Sequence, residues 1–161
     1  MKEKLLIFDL DDTLIDTNGV LREETVWEDV EKLTLLPGVK DFFINFSGKK
    51  VLVTKETDEG LQSKKIEVLK IRDLFVEILI CYNNEGKKKC FEKVMNDFPD
   101  DELWVIGDRR DSEIRHGNEL GLKTMLLKRG KYKNLKAKDG LEVPDYEVEG
   151  FEELTEIICK Q

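Results

Sequence analysis

Short apolar runs recur along the chain at Leu5–Asp9, Lys50–Thr54, Val76–Cys81, Leu103–Ile106 and Lys123–Leu127. Each is too brief for a buried helix, and each has the nearly unbroken Val/Ile/Leu pattern of a parallel strand covered on both faces. Between them the apolar positions return at helical spacing, which predicts helices over Gly38–Phe46, Glu59–Lys70, Lys87–Phe98 and Ser112–Leu120. Pro37 suits the first turn of one of these helices, and Gly121 the position just beyond the end of another. Tyr146–Val148 and Gly150–Ile158 predict a short edge strand and a closing helix. Strand and helix alternate throughout, the rhythm of an α/β domain with a mainly parallel sheet of about five or six strands. No repeat, low-complexity stretch or linker interrupts it, and the polar, Lys-rich stretch Gly130–Pro144 reads as a surface loop.

A length of 161 residues suits one domain, 1–161, with a sizeable core. Apolar residues make up 40% of the chain and charged residues 39%, the balance of a globular protein with a heavily charged surface. Lys and Arg number 27 against 35 Asp and Glu, a net charge of −8. With no basic stripe and no interleaved aromatics, a nucleic-acid-binding module is not expected. Runs such as Lys87-Lys88-Lys89 are short enough to be solvated helix faces. Cys81, Cys90 and Cys159 are odd in number and far apart, and offer neither a disulfide framework nor a zinc spacing. Charge begins at Lys2 and no long apolar segment follows, so the expectation is a cytoplasmic protein with no leader and no membrane partner.

Ligands of open α/β sheets bind outside the carboxyl ends of the strands, and here those ends are acidic. The first run delivers Asp9, Asp11 and Asp12 almost side by side in "FDLDDTL", the fourth leads to Asp108, and the second ends in Thr54. Two carboxylates about 4 Å apart repel by about 4 kcal/mol at an effective dielectric near 20. Buried unpaired charges are rare, so the cluster calls for a cation. Mg²⁺ fits, because it takes oxygen ligands and commonly uses one or two carboxylates together with substrate phosphate.

In order along the chain, "FDLDDTL", "VLVTKE", "EGKKKCF" and "VIGDRRDSEI" resemble the four motifs of the haloacid dehalogenase-like (HAD) hydrolase superfamily. The first and last motifs are specific; the middle two count because they come in the right order. The resemblance implies a three-layer α/β/α sandwich with a Rossmann-like sheet, and a Mg²⁺-dependent phosphatase that works through an aspartyl-phosphate. On that reading Asp9 is the nucleophile and a metal ligand. Asp11 is the acid/base, and its backbone carbonyl is a second metal ligand. Asp108 is the metal-binding acid after the fourth strand, and Thr54 holds a phosphoryl oxygen. The cation beside the nucleophile is Lys87, with Lys88 or Lys89 as alternatives. The second acid of the last motif is Glu113 or Asp111, and Asp111 could instead cap a helix. Lys55 departs from the Asn of many relatives, and Asp12 from their glycine. His116 reads as an exposed helix residue, while Arg109 and Arg110 read as surface ion pairs.

Specificity in the superfamily usually comes from an inserted cap. Here residues 16–36 leave room only for a flap or mini-cap, and Thr54 to Lys87 holds one helix and one strand. Trp27 and Val30 of the flap are expected to pack onto the core. An open site of this kind suits a phosphorylated small molecule or a phosphoprotein, or a homo-oligomer in which a second subunit covers it. Two other classes compete. A signalling receiver domain would need an acceptor Asp after the third strand, where Cys81-Tyr82-Asn83-Asn84 stands instead. A catalytically idle HAD-like binding or assembly protein is opposed by the intact Asp9, Asp11 and Asp108.

Overall fold

A computed structural model describes residues 1–160. Six strands form one sheet: β1 (Lys4–Phe8), β2 (Lys49–Lys55), β3 (Glu77–Cys81), β4 (Glu102–Gly107), β5 (Lys123–Leu127) and β6 (Tyr146–Val148). Their order is β3-β2-β1-β4-β5-β6, and every pairing is parallel. The first five strands lie within one residue of the expected bounds, and β6 matches its expected range. Helices α1 (Thr17–Val20) and α2 (Val26–Asp29) lie in the flap; α3 (Val39–Asn45), α4 (Leu61–Leu69), α5 (Asn84–Asp97), α6 (Arg115–Glu119) and α7 (Phe151–Lys160) follow.

Alternation along β1 divides the core in two. Leu6 and Phe8 point to the face covered by α3, α4 and α7, while Leu5 and Ile7 point to the face where Phe91 and Val94 of α5 pack. Phe8 sits among Phe42, Phe43 and Phe151, with ring centroids 5.2–6.3 Å away. Those rings lock α3 and α7 against the strand that carries Asp9. Fully buried apolar strands on both faces are what parallel β pairing requires. The chain runs outward from β1 through β2 to β3, then crosses back to β4 on the other side of β1. Between β1 and β4 lies the topological switch point, where an open sheet splays a crevice at its carboxyl end.

Several local expectations are corrected. α5 starts at Asn84 rather than Lys87, because the Asn83 side chain accepts the Gly86 N–H at 2.7 Å and caps the helix. The stretch expected as one helix from Ser112 begins instead as a wide π-type turn, Arg110–Ile114, which hands over to α6. His116 is buried, its ring edge-on to Phe91, not exposed. In the flap Val30 packs into the core, but Trp27 stays 47% exposed. An antiparallel bridge between Ile15 and Leu35 ties the two ends of the flap together.

The loop Gly130–Pro144 lies on the surface but is firmly fastened. Arg110 Nε donates to the Leu135 carbonyl at 3.0 Å, and Asn118 Nδ2 to the Val143 carbonyl at 2.8 Å. Arg115 pairs with Asp139 at 2.6 Å and with the buried Glu142 at 3.1 Å.

At the end of α4, exposed Lys70 closes the helix with φ 55° and ψ 41°, the left-handed conformation that favours glycine. Its Cβ meets the following carbonyl there, at a cost of about 1–2 kcal/mol. Lys70→Gly is therefore expected to raise stability by about 1 kcal/mol, read as a higher urea midpoint at unchanged slope.

Candidate functional site

Asp9 and Asp108 each stand one residue past a strand end, on the neighbouring parallel strands β1 and β4. The Asp9 N–H extends the ladder by donating to the Ile106 carbonyl at 3.0 Å, which fixes the residue rigidly at the mouth of the switch point. Both side chains are buried.

The third member arrives by a less regular route. In the π-type turn, Ile114 N–H reaches back to the Arg109 carbonyl at 3.3 Å, and this wide loop folds Glu113 under the end of β4. Glu113 fits there because residue 107 is glycine: a Cβ at Gly107 would lie 2.4 Å from Glu113 Cγ. One carboxylate oxygen each from Asp9, Asp108 and Glu113 falls within a 4.8 Å span. Asp111 points elsewhere, held in a two-pronged pair with Arg109 at 2.9 Å on both prongs.

Lys87 supplies the counter-charge. It shares the buried stripe of α5 with Phe91 and Val94, at i, i+4 and i+7. Its Nζ donates to Asp9 Oδ1 at 2.8 Å and to Glu113 Oε1 at 2.5 Å. Lys88 pairs with Glu119 at 2.9 Å, and Lys89 is exposed, so neither stands beside Asp9.

Electrostatics reflect the crowding. Burial pushes the Asp9 carboxyl up to about 7, against the pull of the Lys87 ammonium. Asp108 is pushed up to about 10, first by burial and then by the Asp9 and Glu113 carboxyls. Burial alone would lower the lysine, yet its two carboxylate partners hold Lys87 above its ordinary range. The excess of acid over base is what a bound dication would relieve. A compact, all-oxygen, anionic donor set suits a hard ion such as Mg²⁺. Asp9, Asp108 and Glu113 are the side chains that would hold it.

Asp11 stands at the wall of the same cleft, which encloses about 180 Å³. Its Oδ1 accepts from Thr17 Oγ1 at 2.6 Å and Lys65 Nζ at 2.7 Å; its Oδ2 accepts from Gln62 Nε2 at 3.0 Å. Thr54 is wholly buried behind this wall, its Oγ1 accepting from Gln62 Nε2 at 2.5 Å. The Thr54 hydroxyl proton therefore stays free to seek another acceptor. Asp12 takes φ 55° in the acid turn, a backbone shape that glycine adopts freely and Asp tolerates.

Three contributors escaped the sequence reading. Gln62 and Lys65 occupy the buried face of α4 beside Leu61 and Ile66. The signal was there, two polar residues interrupting an apolar stripe. Tyr132 lines the cleft from the loop after β5, with the Arg109 guanidinium 4.3 Å from its ring centre. Gly130, at φ 69°, lets that loop lie on the acid turn, since a Cβ there would be 2.8 Å from Asp12 Cγ. Arg109 thus lines the cleft as well as forming its ion pair.

A family model described as HAD-hydrolase-like matches residues 86–154. A glyceraldehyde 3-phosphate phosphatase of Methanopyrus kandleri is 35% identical over 58 residues, a stretch spanning 36% of this chain and 25% of that relative. Among solved structures, a haloacid dehalogenase-like protein of Burkholderia xenovorans superposes with a TM-score of 0.76 at 14% identity, over 99% of this chain and 98% of the other. The magnesium-bound YfnB of Bacillus subtilis gives 0.73 at 17% identity, over 98% and 99%. The L-2-haloacid dehalogenase of Xanthobacter autotrophicus gives 0.71 at 10% identity, over the whole of both.

Gly107→Ala is expected to destabilise the fold by about 1–3 kcal/mol, as overpacking does where the neighbour is fixed on both sides. A thermal melt measures the loss. Gly140→Ala, with open space around its Cβ position, is the control and is expected to melt near wild type.

Proposed function

We propose that this chain is a haloacid dehalogenase-like (HAD) protein and, more narrowly, a Mg²⁺-dependent hydrolase of phosphate monoesters, a reading supported by the match over residues 86–154 and by the fold. One observation carries the reading: Asp9, Asp108 and Glu113 converge within 4.8 Å at the switch point, with the Lys87 ammonium on two of them. Several structural neighbours are dehalogenases. Displacing halide with a carboxylate needs no dication, however, whereas three buried carboxylates in contact need positive charge to stay ionised. Phosphoryl transfer needs positive charge too, on the equatorial oxygens of the transferring group.

In the proposed reaction a phosphoryl group enters the cleft and Asp9 attacks phosphorus in line with the ester oxygen. The P–O bond to the leaving group breaks, its electron pair stays on oxygen, and Asp11 donates the proton that neutralises it. The Thr54 hydroxyl and the Lys87 ammonium hold phosphoryl oxygens. In the second half Asp11, now a carboxylate, takes a proton from water as that water attacks the aspartyl-phosphate. The bond between phosphorus and Asp9 breaks, which regenerates the carboxylate and releases inorganic phosphate. Bound at Asp9, Asp108 and Glu113, Mg²⁺ would supply charge neutralisation between nucleophile and phosphate. A phosphorylated small molecule or a phosphoprotein side chain fits a cleft without a cap domain, with a second copy of the chain as a candidate cover. A cytoplasmic location completes the reading.

The test is turnover of p-nitrophenyl phosphate with MgCl₂ and with EDTA. Activity is expected only with the metal, and Asp9→Asn is expected to lose at least about a thousandfold in kcat. Full activity in Asp9→Asn, or chloride release from 2-chloropropionate faster than phosphate release from the ester, would overturn the reading.

A further inference from the structure

Asp11 is held by donors that lie outside all four acid- and lysine-bearing motifs. Lys65 reaches it with a side chain only 4% exposed, and Gln62 is 1% exposed. Both come from the buried stripe of α4, beside Leu61 and Ile66. An ammonium taken out of water costs several kcal/mol unless a partner offsets it, and the partner here is Asp11. Gln62 uses its side-chain amide nitrogen to join Asp11 Oδ2 to Thr54 Oγ1, and its backbone N–H donates to Glu56 Oε1 at 3.1 Å. Backbone and side chain of Gln62 are thus each held in place.

Donors are distributed unequally over the two oxygens. Oδ1 accepts from Thr17 and Lys65, which fills its lone pairs, while Oδ2 accepts from Gln62 alone. From this arrangement we infer that Lys65 and Gln62 are positioning residues, which orient the Asp11 carboxyl so that Oδ2 presents its proton to the departing ester oxygen. The inference rests on the reading of Asp11 as proton donor in the proposed phosphatase reaction. Without the clamp Asp11 would still be present, but turned through a range of rotamers, and proton transfer would lose the geometry it depends on.

The experiment compares kcat for p-nitrophenyl phosphate and phenyl phosphate, with Mg²⁺, on the full chain. The two esters share a ring and differ in how much the leaving oxygen needs a proton: nitrophenolate departs unaided, whereas phenolate resembles the tyrosine phenolate, with pKa about 10. Lys65→Met and Gln62→Leu are expected to lose about tenfold more on phenyl phosphate than on p-nitrophenyl phosphate. Lys65→Arg is expected to restore part of that ratio, and Asp11→Asn to show the same selectivity more strongly. A ratio measured on one sample is insensitive to a misfolded fraction, and Gln62→Leu decides the matter should Lys65→Met fail to fold. Equal losses on both esters while Asp11→Asn remains selective would overturn the positioning role alone. An unselective Asp11→Asn would overturn the proton-donor reading beneath it.

Discussion

The Lys87 ammonium, shared between Asp9 and Glu113, is the contact on which the rest of the site depends. All three groups are buried, so none can fall back on water for solvation. Removing the cation would leave two carboxylates uncompensated beside a third, Asp108, a loss of the class worth about 3–5 kcal/mol. Much of the surrounding chain serves to make this contact. The Asn83 cap fixes where α5 begins, Phe91 and Val94 seat the helix on the sheet, and the missing side chain of Gly107 admits Glu113.

Charge is divided by element type. The acids at the heart of the cleft stand at or beside the ends of β1 and β4, where the sheet fixes the backbone, and the buried lysines that pair with Asp9 and Asp11 come from helices α4 and α5. Each helix delivers one lysine to one acid of the first motif: Lys65 to Asp11 and Lys87 to Asp9. Asp9 and Asp11, only two residues apart, therefore have separate counter-ions and can do separate work. Tyr132 and Arg109 close another side of the cleft, and the loop that carries Tyr132 is fastened by Arg110, Arg115 and Asn118.

Strand positions were legible to within a residue because parallel strands are apolar throughout, and the pattern breaks sharply where the ladder ends. Asp9 and Asp108 stood out for the same reason, as charges at the ends of runs that should be buried. Elements set by a few specific contacts were harder to read. The start of α5 turns on one Asn side chain, and the π-type turn that aims Glu113 has a spacing that periodicity does not register. The loop after β5 looked slack because its anchors lie more than twenty residues upstream of the carbonyls they hold. Gln62 and Lys65 of α4 went unread, since their partners, Thr54 on β2 and Asp11 in the turn after β1, are set by tertiary packing and not by spacing along the helix.

The bridge between Ile15 and Leu35 gives the flap a property of its own. Its two ends already touch, and between them Val30 and Leu33 pack on the core and Thr17 holds Asp11, so it is the exposed stretch Arg22–Glu24 that is free of the sheet and the site. Doubling the length of such a closed excursion costs only about 0.6 kcal/mol in loop-closure entropy. The core is in that sense a socket: the exposed stretch Arg22–Glu24 could be lengthened into a larger cover without moving a strand, and substrate range could change while the acid and lysine constellation stays where it is.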